Sequence, residues 1–136
     1  TGGLEVELNN PGTISGTVLY VEHNSSNIEL VEQILASARP NVNLVTTMFG
    51  QQALHMATHF APSLILLELN LPDTHGSKVF ETLQADERTR HLPVVVISAD
   101  AMPKQLETLL KAGVKRYLTK PLDIQTFLSV VDQYLQ

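Results

Sequence analysis

Glu68 closes an apolar run of residues 64–67, and a turn through Asn70, Leu71, Pro72 and Asp73 follows at once. Three other strand-like runs end in reactive groups. Residues 17–21 lead into Glu22 and His23, residues 94–97 into Ser98 and Asp100, and residues 114–118 into Thr119 and Lys120. The collected groups are carboxylates, an imidazole, a hydroxyl and an amine. Glu22, His23 and Glu68 are of types that suit a transition metal, since imidazole favours Zn2+ or Ni2+. His55 and His59 stand four apart, a metal-like spacing, on a stretch whose Ala53, Leu54 and Ala57 already supply an inward face, so they read as surface residues. Ser98 lacks the Gly-x-Ser-x-Gly setting of a hydrolase nucleophile. No Gly-rich loop marks a nucleotide enzyme.

The elements that must position these groups alternate along the chain. Unbroken apolar runs bounded by turn signals read as strands buried on both faces. Residues 17–21, 64–67 and 94–97 are such runs, residues 42–48 read as an edge strand, and residues 114–119 as a short fifth strand. Between them lie helical patterns. The first is capped by Ser25 or Ser26 and carries Ile28, Val31, Ile34 and Leu35; the second covers residues 50–60. A third passes through Val79, Phe80 and Leu83, and a fourth covers residues 103–112 and stops at Gly113. Asp123 caps the last, with Phe127, Leu128, Val131 and Leu135 inward. Five βα units imply a parallel sheet covered on both faces, and right-handed crossovers make it an open doubly wound sheet. In strand order 2-1-3-4-5, the ends of strands one and three flank the topological switch point, where such sheets bind ligands.

The bulk numbers agree with one such domain. The chain has 136 residues, 43% hydrophobic and 17% charged, enough for a single core. Its net charge is -5 and it holds no basic run beyond Lys115-Arg116, so nothing marks a nucleic-acid surface. It has no cysteine, which excludes disulfide and thiol chemistry. No apolar run approaches the roughly 20 residues of a membrane span, and no secretory signal pattern is present. Gly2, Gly3 and Asn9-Asn10-Pro11-Gly12 make residues 1–16 a linker or the tail of a preceding domain, with residues 4–8 as one short candidate strand. The domain proper is expected over residues 17–136.

At these residues the chain resembles the response-regulator receiver domain of two-component signalling. The family pattern is an acidic pair after strand one, an aspartate after strand three, Thr or Ser after strand four and Lys-Pro after strand five. The matching positions are Glu22-His23, Glu68, Ser98 and Lys120-Pro121. Leu71-Pro72-Asp73 with Gly76, Ser98-Ala99-Asp100-Ala101, and Tyr117-Leu118-Thr119 before the Lys-Pro also fit. The resemblance covers nearly the whole chain. It implies a flavodoxin-like α/β fold, no enzyme activity, a cytoplasmic signalling role, and protein partners such as a histidine kinase or another signalling domain, with a homodimer as one form. A hybrid sensor kinase carrying a C-terminal receiver fits as parent.

Two positions depart from the pattern. The phosphoacceptor position is Glu68, and the second acidic-pair position is His23. In the family these groups hold a divalent cation with the help of a backbone carbonyl, here that of Asn70. Removing one charge at about 4 Å changes the energy by roughly 4 kcal/mol at an effective dielectric of about 20. Imidazole is also a poor Mg2+ ligand. Mg2+ binding is therefore expected to be weakened, with no resident metal or cofactor. Glu68 reaches about 1.5 Å further than an aspartate, which disturbs the alignment that phosphoryl transfer depends on. The extra reach lets its carboxylate pair with Lys120 and accept from Ser98, with Tyr117 swinging in behind, as phosphorylation does in the family. The expectation is a receiver that works by protein–protein interaction, with Glu68 mimicking the phosphorylated state. The alternatives are a receiver that still accepts a phosphoryl group, at Glu68, Asp73 or Asp100, and a small-ligand binder on the same scaffold.

Overall fold

The computed structural model describes residues 13–99 and 101–135. The candidate strand at residues 4–8 and the acceptor alternative Asp100 lie outside them. Five parallel strands, β1 (Gly16–Val21), β2 (Val42–Thr47), β3 (Leu64–Leu67), β4 (Val94–Ser98) and β5 (Arg116–Thr119), form one sheet in the order β2-β1-β3-β4-β5. Helices α1 (Ser25–Ala38), α2 (Ala53–Phe60), α3 (Gly76–Ala85), α4 (Pro103–Ala112) and α5 (Ile124–Tyr134) connect and follow them. This is the doubly wound arrangement expected from the alternation of runs.

The three central strands are dominated by aliphatic residues because both of their faces are covered. Alternate residues supply two cores. Val18, Tyr20, Leu64, Leu66, Val95 and Ile97 pack with Val31, Leu35, Phe127 and Val131, which places α1 and α5 on one face. Leu19, Val21, Ile65, Leu67, Val94 and Val96 pack with Ala53, Ala57, Val79, Phe80, Leu83 and Leu109, which places α2, α3 and α4 on the other. Each Val, Leu, Ile or Phe among them contributes about 1.5–3 kcal/mol by leaving water. The sheet is thus a rigid plate, and whatever its strands carry at their carboxyl ends is held with it.

Local chemistry shifts several boundaries. The cap of α1 is Asn24, whose side chain accepts from the Asn27 N–H, so the expected Ser25 or Ser26 lies inside the helix. The expected helix over residues 50–60 opens as a tighter 3-10 turn, Gly50–Gln52, before α2. There the Asp73 carboxylate accepts from the Gly50 and Gln51 N–H groups, both at 2.9 Å. Strand β5 starts at Arg116 rather than Val114, because the Val114 N–H still bonds the Leu109 carbonyl across the helix end at Gly113. Gly113 has φ +121°, a conformation that favours glycine.

Candidate functional site

The carboxyl ends of β1, β3, β4 and β5 converge, and the first carboxylate to meet is Glu22. It follows β1 directly and is fully buried. Its Oε2 accepts from the N–H groups of His23 (3.1 Å) and Asn24 (3.3 Å), where the chain turns into α1. Its Oε1 accepts from the Tyr20 hydroxyl at 3.0 Å, the Asn27 amide at 3.3 Å and the Lys120 ammonium. Strand period places Tyr20 and Glu22 on the same face, which is why a phenol inside an aliphatic strand can reach this oxygen.

Glu68 follows β3 and is 4% exposed. Its Oε1 accepts from Lys120 Nζ at 2.5 Å. Its Oε2 accepts from the Ser98 hydroxyl at 2.7 Å and from the N–H groups of Leu69 (2.6 Å) and Asn70 (3.1 Å). Gly76 fixes the loop behind it. The Gly76 N–H donates to the Leu69 carbonyl, and a Cβ at this position would meet the Glu68 carbonyl oxygen at 2.6 Å and Leu69 Cα at 2.7 Å. Only glycine lets α3 begin so close to the strand end.

Burial alone pushes the Glu68 carboxyl upward, yet Lys120, the Asn70 N–H and the Ser98 hydroxyl outweigh it and hold the group below the usual glutamate range. Burial likewise lowers Lys120, and Glu22 with Glu68 reverse this, holding the ammonium above the usual lysine range. Burial, reinforced by Glu22, drives the Tyr20 hydroxyl far above the ordinary phenol value. Glu68 and Lys120 therefore stand ionised together, beside the buried Glu22 carboxylate that accepts from the same ammonium.

The expected residues divide into three groups. Glu22, Glu68, Ser98 and Lys120 come together in one hydrogen-bonded cluster. Tyr117 joins its rim: it is half-buried against the α2–α4 core, and its hydroxyl donates to the Ser98 carbonyl at 3.2 Å. Asn70 takes part through its N–H. His23 stays outside, with a side chain 45% exposed and Nδ1 3.7 Å from Glu22 Oε2. Among the described residues no three His, Cys, Asp or Glu side chains are placed to hold a metal ion. Glu22, His23 and Glu68 are thus not placed as a transition-metal set: the imidazole is half-exposed at the rim, while both carboxylates accept from Lys120. His55 and His59 are exposed, as expected. His75 caps α3, accepting from the Ser77 N–H, and its other ring nitrogen meets the Gln105 side chain at 3.1 Å.

Tyr20 and Asn27 escaped the reading of the sequence. A signal for Tyr20 was present: a hydroxyl in a strand covered on both faces must find a partner, and residue 22 shares its face. Asn27 carried none.

Comparison with known proteins follows the same outline. A family model described as the response regulator receiver domain matches residues 18–132. The polar-differentiation response regulator DivK of Brucella ovis is 31% identical over 119 residues, covering 88% of this chain and 95% of DivK. Among solved structures, the receiver domain of the Pseudomonas aeruginosa sensor histidine kinase PA1611 has a magnesium ion coordinated in its active-site cleft. It is 26% identical with a TM-score of 0.77, over 88% of this chain and 97% of that one. The phosphorylated cyanobacterial phytochrome response regulator RcpA is 28% identical with a TM-score of 0.72, over 88% and 90%.

Proposed function

This chain belongs to the response-regulator receiver family of two-component signalling, and from that premise we propose that it signals without accepting a phosphoryl group, with Glu68 standing in for the phosphorylated acceptor. One observation carries the reading. The Glu68 carboxylate bonds the Ser98 hydroxyl and the Lys120 ammonium at once, at 2.7 and 2.5 Å. These are the two contacts that the family resemblance assigns to a phosphoryl group. The Tyr117 hydroxyl, donating to the Ser98 carbonyl, supports the same state. A nucleophile whose oxygens already accept from four donors has little electron density to offer an incoming phosphorus.

The module acts by binding protein partners, a histidine kinase or another signalling domain. It spans residues 17–136, with residues 1–16 a linker or the tail of a preceding domain, and it works in the cytoplasm. Among the described residues no helix is long and apolar enough to cross a membrane. Divalent cation binding is weak and no cofactor is resident.

Intact mass after incubation with a small acyl-phosphate donor and Mg2+ tests this. The chain as it stands shows no phosphoryl adduct, and a His23→Asp, Glu68→Asp double variant gains one. An adduct on the unaltered chain would overturn the proposal. Amide spectra complete the test: Glu68→Gln shifts signals around Ser98 and Tyr117 if the carboxylate holds that region, and leaves them in place if it only fills space.

A further inference from the structure

The donor set at the strand ends does not fit a divalent ion, and the reason lies in the strand interior. Magnesium asks for oxygen ligands in near-octahedral order. A carboxylate offers about four lone-pair directions. Glu22 alone already accepts five contacts, from Tyr20, Asn27, Lys120 and the N–H groups of His23 and Asn24. Oε2 of Glu68 accepts three, leaving only Oε1, which faces Lys120. The imidazole of His23 adds no oxygen ligand. What lies between the two carboxylates is the ammonium.

We propose that this pocket carries its own cation, Lys120, and that Tyr20 is the positioning residue that reserves Glu22 for it and so excludes divalent ions. Tyr20 is fully buried among Val31, Ile34 and Leu35 on the α1 side of the sheet. Its ring cannot follow Glu22 outward. Its hydroxyl is left with one use, to hold Oε1 of Glu22 inward at 3.0 Å, on the oxygen that Lys120 also takes. A carboxylate reaching outward for a metal would leave this phenol buried without a partner, a penalty that the lysine-bound arrangement avoids. The assignment rests on the reading of the pocket as a closed, phosphate-independent site, and it names what closes it.

The test measures Mn2+ binding by water-proton relaxation. The probe is Mn2+ alone, added to the full chain and three variants. The unaltered chain gives no enhancement. The His23→Asp, Glu68→Asp variant binds weakly, because Tyr20 still holds Glu22. Adding Tyr20→Phe to that pair tightens binding about tenfold or more, the scale of one hydrogen bond to a charged group. Asn27→Ala on the same background removes a second donor to the same oxygen from outside the core, and moves affinity in the same direction by less. It decides the matter if the phenylalanine variant does not fold. Equal affinity in all three variants overturns the role of Tyr20 while leaving the closed pocket intact. Mn2+ binding by the unaltered chain, together with a phosphoryl adduct, overturns the underlying reading instead.

Discussion

An ion pair stands at each end of the sheet, and the two differ in burial and in arithmetic. At the amino-terminal edge, Arg39 just after α1 grips Asp132 of α5 through two parallel bonds of 2.7 Å. The charges cancel, and Asp132 is 38% exposed. At the carboxyl edge, Lys120 joins Glu22 and Glu68, both nearly or wholly buried. One cation there serves two anions. The first pair ties a helix end to a helix and is neutral by itself. The second crowds two carboxylates onto one ammonium in a buried place, where further hydrogen bonds to each carboxylate make the crowding tolerable. The contrast teaches that ion pairing alone does not mark a site; an unbalanced pair held in a dry place does.

The sharpest way to break this comparison is to remove the shared cation. Lys120→Met strands two buried carboxylates and destabilises the fold by about 3–5 kcal/mol, read by urea unfolding. A loss no greater than that of Arg39→Ala would erase the distinction. Glu68→Gln is the next test, with a loss of roughly 1.5–3 kcal/mol at neutral pH. Its pH profile carries the sign. The carboxyl is depressed in the folded protein, so its contribution is present above the ordinary glutamate value and fades as pH falls through the lower folded value. The acid limb of stability is therefore steeper in the unaltered chain than in the glutamine variant. Lys120 is raised, so its contribution fades only as pH climbs through and above the usual lysine range.

Arg39→Ala comes third, at about 1 kcal/mol, and high salt removes most of that difference. Salt leaves the Lys120 effect largely in place. Tyr117→Phe is the smallest, about 0.5–1 kcal/mol for one hydrogen bond to a carbonyl. Its value lies in the amide signals near Ser98, which shift if the phenol anchors that strand end.

The ends of the sheet were readable before its edges. Residues 64–67 announce a central strand because no polar side chain interrupts them, and the residue after such a run is forced to the rim. Glu22, Glu68 and Ser98 were found by that rule, and Lys120 by the Lys-Pro that follows the short fifth strand. Boundaries resisted it where a distant group decides them: Asp73 tightens the turn at Gly50 from 23 residues away, and nothing near Gly50 foretells this. His23 shows the limit of residue type, which says what a side chain can bind and nothing of where it points. The direction was fixed by its neighbour, since Glu22 turned inward to Tyr20 and Lys120 and the imidazole had no reason to follow. Tyr20 was missed for the opposite reason. It reads as bulk in an apolar run, and only the demand of its hydroxyl distinguishes it from phenylalanine.

The contact between Glu68 and Ser98 has a consequence in time. An acyl phosphate hydrolyses, so a receiver that depends on one keeps a clock: its signal decays unless a donor renews it. A glutamate side chain does not decay. On the reading proposed above, a module held by Glu68 enters its signalling state as it folds and leaves it only when the chain is degraded or a partner covers it. Its message is then its abundance, and the cell writes that message through synthesis and turnover.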